Sequence, residues 1–161
     1  MKKGTHGEAR LQINTSPEQL YALVSDVTRM GEWSPETVRC QWLDGATGPI
    51  VGARFKGTNR RGFVRWSTKP RVVGADAGRE FAFVVNLVGL GREMVLWRYR
   101  FEPAADSGTE VTESFEMLND LPWYIAYSER YLMGIKDRKA DLESSMQCTL
   151  ERIKVVAERE G

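Results

Sequence analysis

The stretch "NRRGFVRWSTKPRVV", residues 59–73, places Arg60, Arg61, Arg65, Lys69 and Arg71 around a tryptophan, Trp66. Basic residues interleaved with an aromatic can mark a surface on which bases stack while phosphates pair. Period two decides otherwise. On an extended chain Val64, Trp66, Thr68 and Val72 share one side, and Arg65, Ser67, Lys69 and Arg71 share the other. The tryptophan is therefore opposite the cations of its strand. The stretch predicts one strand over residues 63–73, with an apolar face and a wet face.

The neighbouring stretches repeat the pattern. In "EMVLWRYRFE" Trp97, Tyr99 and Phe101 share a face, with Arg98 and Arg100 behind them; Phe81 and Phe83 pair up in "REFAFVV". "EVTESFEM" sets Val111, Glu113, Phe115 and Met117 opposite Thr112, Ser114 and Glu116. "TVRCQW" puts Val38, Cys40 and Trp42 on one side. With turn-rich segments between them, residues 36–117 read as a six-stranded antiparallel meander.

The flanks have a different period. "ARLQINTS" is one more half-buried strand, with Ala9, Leu11 and Ile13 inward. In "SPEQLYALVSDV" Ser16 is an N-cap, Pro17 sits at the first helical position and Gln19 completes a capping box, while Leu20, Leu23, Val24 and Val27 form a helical stripe. "TRMGEWSPE" ends that helix and predicts a short helical turn before Pro35. Tyr127, Tyr131, Ile135, Leu142, Met146, Leu150, Ile153 and Val156 recur near every 3.6 residues, which predicts one long C-terminal helix with a possible break near Gly134. The expected fold class is α+β in a single domain, 1–161.

Composition narrows the function. Lys and Arg total 23 against 22 Asp and Glu, a formal charge of +1 over 161 residues, so the overall basic footprint of a nucleic-acid binder is missing. No nucleic-acid partner is expected. Cys40, Cys148 and His6 supply too few ligands for the usual zinc site, and no metal or cofactor is expected. The basic start "MKKGTHGEARLQI" has no apolar core of a signal peptide, and no run of ~18 apolar residues occurs, so no integral membrane segment is expected. The thiols read as reduced and the protein as cytoplasmic. His6, near a terminus that reads as disordered, is given no role.

The apolar sheet face is the candidate site. Its aromatics, Trp66, Phe83, Trp97 and Phe115 among them, either fill a solid core or wall a pocket; Asn59, Thr68, Tyr99 and Glu113 lie on the same face. Glu113, between Val111 and Phe115, is an inward carboxylate whose burial would raise its pKa and suit it to acid or base work, with Tyr99 as partner. The alternative places Glu113 at the rim or pairs it with Asn59. Leu87, Val88 and Leu90 in "VNLVGLG" form a lip or fold back on the core, the aromatics of "LPWYIAYSERY" close the other end, and Met133 and Met146 fill core.

These segments, above all "SPEQLYALVSDVTRMGEWSPE", "GARFKGTNRRG", "WRYRFEP" with "GTEVTESFE", and "MQCTLERIKVVAE", resemble the START-like, helix-grip SRPBCC superfamily of polyketide cyclases, lipid-transfer domains and birch-pollen-type allergens. The resemblance implies a curved seven-stranded antiparallel sheet wrapped around a long C-terminal helix, two short helices after the first strand, and a hydrophobic cavity between sheet and helix. It implies a hydrophobic small-molecule ligand, lipid or polyketide-like; the residues expected to bind it, read from the apolar sheet face, are Asn59, Trp66, Phe83, Trp97, Tyr99, Glu113 and Phe115. The alternative is a polyketide cyclase or dehydratase using Glu113 and Tyr99. An edge strand or the apolar loop could form a homodimer.

Overall fold

The computed structural model describes residues 1–86 and 89–161. Leu87 and Val88, two of the three side chains expected at the apolar lip, lie outside the described residues. The chain runs β1 (His6–Ile13), α1 (Pro17–Val24), a short 3₁₀ helix (Val27–Glu32), β2 (Thr37–Trp42), β3 (Phe55–Arg61), β4 (Val64–Thr68), β5 (Arg71–Asp76), β6 (Glu80–Val85), β7 (Val95–Pro103), β8 (Thr109–Met117), α2 (Trp123–Tyr131) and α3 (Arg138–Glu160).

The start of α1 follows its sequence signals. Ser16 Oγ accepts from the Gln19 backbone N–H at 3.3 Å, Pro17 occupies the first turn, and Leu20, Leu23 and Val24 are buried. His6 belongs to β1, paired with Glu116, so the chain is ordered from further back than its composition suggested.

The described residues form eight strands in two sheets, ordered β1-β8-β7-β6-β5 and β2-β3-β4, where one seven-stranded sheet was expected. Proline explains the difference. Residues 63–73 were read as one strand, but Pro70 has no N–H for a ladder and divides it into β4 and β5. The break is a corner at which the chain changes sheet. There the Phe55 N–H donates to the Pro70 carbonyl (3.1 Å) and the Val72 N–H to the Ala53 carbonyl (2.9 Å). The hairpin between β3 and β4 closes through Gly62 and Phe63, with Gly62 at φ 61° in the first central position, where only glycine is unstrained.

β2 departs from strict alternation. Thr37 faces Asn59 and Arg39 faces Thr58, so Val38 is an extra, bulged residue and is exposed rather than inward with Cys40. The bulge meets the 3₁₀ helix closely: a Cβ built on Gly31 would lie 2.6 Å from the Val38 carbonyl oxygen.

The expected long helix is two. Gly134, at φ 72°, lies in the turn between α2 and α3, and Asp137 caps α3 by accepting from the Ala140 N–H at 3.1 Å. α3, about 35 Å long at 1.5 Å per residue, rests against β1 and buries Leu142, Met146, Leu150, Ile153 and Ala157. Its C-terminal half closes over a solid core that includes Leu20, Phe81 and Phe101.

Because a backbone oxygen cannot move aside as a flexible side chain can, Gly31→Ala is expected to destabilise the fold by about 1–3 kcal/mol. Urea unfolding of the two proteins measures it; unchanged stability would show that the bulge is not pinned at Gly31.

Candidate ligand cavity

A cavity of about 430 Å³ lies between the two sheets, α2 and the N-terminal half of α3. β3 and β4 supply Phe55, Asn59, Trp66 and Thr68; β6 to β8 supply Phe83, Trp97, Tyr99 and Glu113; the helices supply Ile125 and Met146. A space of this size is within the range that holds small organic ligands, and its walls are mainly apolar by area, with the hydroxyls of Ser34, Thr37, Thr68, Ser128, Ser145 and Thr149 among them. The aromatic packing partly explains why space remains. Phe55 meets Phe83 edge to face with centroids 5.4 Å apart, so the rings brace one another rather than collapsing inward.

Two of the polar groups come from facing strands. Register sets Tyr99 of β7 directly opposite Glu113 of β8, and the Tyr99 hydroxyl donates to Glu113 Oε1 at 2.9 Å. Glu113 is 4% exposed, and its Oε2 has no protein partner among the described residues. Burial pushes its pKa up to about 8, although the tyrosine bond pulls the other way. Burial, with the Glu113 charge and bond adding to it, also raises the Tyr99 phenol well above its usual value. Glu113 thus keeps its proton to a higher pH than an exposed glutamate does. Asn59 does not pair with it: Asn59 Oδ1 accepts from Thr37 Oγ1 at 3.0 Å. Cys40 also lines the cavity, with its thiol pushed up to about 12 by burial and therefore kept as an inert apolar surface.

The charged groups are gathered at a different part of the wall. Arg138, the first residue of α3, approaches Glu36 (2.9 Å), Asp141 (2.7 Å) and Glu129 of α2 (3.3 Å). Arg61 at the end of β3 reaches Asp141 (2.8 Å) and Glu36 (3.2 Å). The cluster ties α2, α3, β3 and the approach to β2 together beside the kink. Burial works against the Arg138 charge, but Glu36 and the other carboxylates outweigh it and raise its pKa. Burial raises Glu129 despite Arg138, in keeping with a guanidinium already committed to closer partners.

Of the expected binding residues, Asn59, Trp66, Phe83, Trp97, Tyr99 and Glu113 all border the cavity. Phe115 does not. It lies behind Trp97, at 5.8 Å between centroids, in a separate cluster with Leu142 and Met146. Trp123, Tyr124, Tyr127 and Tyr131 point to solvent, and α2 instead turns Ile125, Ser128 and Glu129 to the cavity. Met146 is buried with Phe115 and Leu142 as expected of a core residue and also borders the cavity, as does Met133. The charge cluster was missed, because nothing along the chain links Glu36, Arg61, Glu129 and Arg138; Arg138 itself follows an Asp cap signal that could have placed it at a helix start.

A family model described as polyketide cyclase / dehydrase and lipid transport matches residues 5–158. The chain belongs to this family. A polyketide-cyclase-like protein from Corynebacterium glutamicum, solved by NMR, is 31% identical over 97% of this chain and 93% of its own, with a TM-score of 0.61. A START superfamily protein from Mycobacterium smegmatis shares the fold at 12% identity, TM-score 0.73, over 98% of this chain and 100% of its own. The di-domain ARO/CYC StfQ from the steffimycin biosynthetic pathway shares it at 14% identity and TM-score 0.73, with 96% of this chain covering 51% of that one. No curated protein matches. None of the described helices is long and apolar enough to cross a membrane.

Two expectations follow. The carboxyl of Glu113 titrates near 4.5 when unfolded and about 8 when folded. Across that interval the unfolded chain releases a proton that the folded one keeps, so stability is fully present below it and falls as pH rises, by about 1.4 kcal/mol per unit. Urea unfolding from pH 5 to pH 8 should show the wild type losing stability relative to Glu113→Gln; parallel curves would place the acid in a polar setting. Arg138→Met removes the cation that serves three carboxylates and is expected to cost roughly 3 kcal/mol, read in the same way.

Proposed function

We propose that this protein binds an apolar small molecule, lipid or polyketide-like, in the cavity between the sheets and α3. The observation that carries the proposal is the cavity itself: about 430 Å³, walled by Trp66, Phe83 and Trp97 beside the core of Leu20, Phe81 and Phe101. Desolvation of ligand and wall supplies most of the affinity, while Asn59, Tyr99 and Glu113 orient the molecule. The family description, which joins cyclases to lipid transport, supports the same ligand class.

A second reading has one observation in its favour. A protonated carboxyl beside a tyrosine hydroxyl, facing an apolar space, is the equipment of a general acid for cyclisation or dehydration. In that case Glu113→Gln abolishes turnover of a bound substrate and leaves its affinity in place. For a binding protein the same change leaves uptake and release nearly intact.

Native mass spectrometry of freshly purified protein tests the binding proposal. The expected result is an added mass that disappears on denaturation, or, for protein that has lost its ligand, saturable binding of an added naphthalene compound that quenches tryptophan fluorescence. Protein that carries nothing and takes up nothing overturns it.

A further inference from the structure

Resting on the binding proposal, we infer that the ligand is uncharged and presents a hydrogen-bond acceptor, a carbonyl oxygen in the first place, to Glu113 Oε2. Three observations lead there.

The first is the direction of the Glu113 proton. With the Tyr99 hydroxyl donating to Oε1 at 2.9 Å, the arrangement taken for this proposal, the carboxyl proton sits on Oε2. Oε2 is buried, has no partner among the described residues and belongs to a side chain that lines the cavity. An O–H left without an acceptor in such a place costs about 1–3 kcal/mol. A ligand that offers an acceptor recovers that energy; a hydrocarbon of the same shape does not.

The second is the state of the acid. One neutral hydrogen bond from Tyr99 does not compensate a buried carboxylate, which is why burial dominates its titration. The cavity therefore offers a donor at this point. An ammonium group would first have to take the proton away at the expense of burying two charges.

The third is the remaining charge. Among the described lining residues the cations are Arg138, which Glu36, Glu129 and Asp141 already engage, and the Met1 α-ammonium, whose charge acts on Glu129. With Arg61 counted, three carboxylates face three cations, so this part of the wall is close to neutral and holds no surplus of positive charge for an anionic headgroup. A free carboxylate or phosphate ligand is disfavoured at the acid itself.

The aromatic walls suit a ring skeleton, so the test uses acetylnaphthalene, ethylnaphthalene, naphthoate and naphthylmethylammonium, which differ mainly in the polar group. Affinities are measured by isothermal titration calorimetry for the wild type, Glu113→Leu and Glu113→Gln. The wild type should bind the ketone about 3- to 10-fold more tightly than the hydrocarbon, the size of one net hydrogen bond, and both ions more weakly than the hydrocarbon. In Glu113→Leu the ketone preference should vanish while the hydrocarbon still binds, which also shows that the variant is folded. Glu113→Gln, whose amide can donate to the ligand while its carbonyl accepts from Tyr99, should keep the preference. Equal binding of ketone and hydrocarbon by the wild type, a preference that survives in Glu113→Leu, or tighter binding of either ion than of the ketone would overturn the inference and leave the binding proposal standing. Failure of both neutral compounds to bind would overturn the two together.

Discussion

A single cross-strand contact, Tyr99 with Glu113, sets the chemical character of this molecule. β7 and β8 pair over their full lengths, so the two side chains face each other by register rather than by the chance approach of loops. The contact is deep enough for burial to outweigh the bond in setting the protonation of the acid. A glutamate in this position would be a liability in a solid core, where its second oxygen would have neither partner nor space. It is tolerable where the wall opens on a cavity that can bring an acceptor. The cavity and the acid therefore explain one another.

The cavity in turn depends on where α3 is held. A helix with this apolar stripe lowers its energy by lying flat on a sheet, as the C-terminal half of α3 does around Leu150 and Ile153. Its N-terminal end is held by Arg138, Asp141, Arg61, Glu36 and Glu129, a set of ion pairs with fixed geometry that a sliding helix would break. Such a cluster costs desolvation energy and is not required for a compact fold, since apolar replacements of buried ion pairs are often as stable. What it supplies here is position. The kink at Gly134 then turns α2 across the space, and the pair between Glu129 and Arg138 joins the two helices.

Much of this was legible in the chain because it rests on local periodicity. The alternation around Trp66, Trp97 and Tyr99, the Ser16 cap and the stripe of α3 are each consequences of a few neighbouring residues. So was the inward direction of Glu113, which needed only its parity with Val111 and Phe115. What failed were details that depend on three-dimensional partners. Pro70 was visible, yet whether a proline ends a strand or sits at its edge depends on the sheet beside it. Val38 shares parity with Cys40, and only the bulge against β3 turns it outward. Phe115 has the right parity for the cavity but lies where Leu142 and Met146 cover it. The tyrosines of α2 are helical in spacing, and spacing alone does not tell which face is turned inward.

The fold by itself does not choose between a carrier and a catalyst. A START superfamily protein and an ARO/CYC di-domain share it at 12% and 14% identity, and a fold alone does not fix a function. In this chain the polar contributions are divided. The charged residues neutralise one another at one part of the wall, and the residue offered to a bound molecule is a neutral acid braced by a phenol. A neutral donor orients a carbonyl whether or not a reaction follows, and the same proton becomes transferable only if the ligand develops negative charge at the atom it touches. The proposed binding needs no more than this arrangement. Catalysis would require, in addition, a substrate whose transition state places its growing charge at Glu113 Oε2.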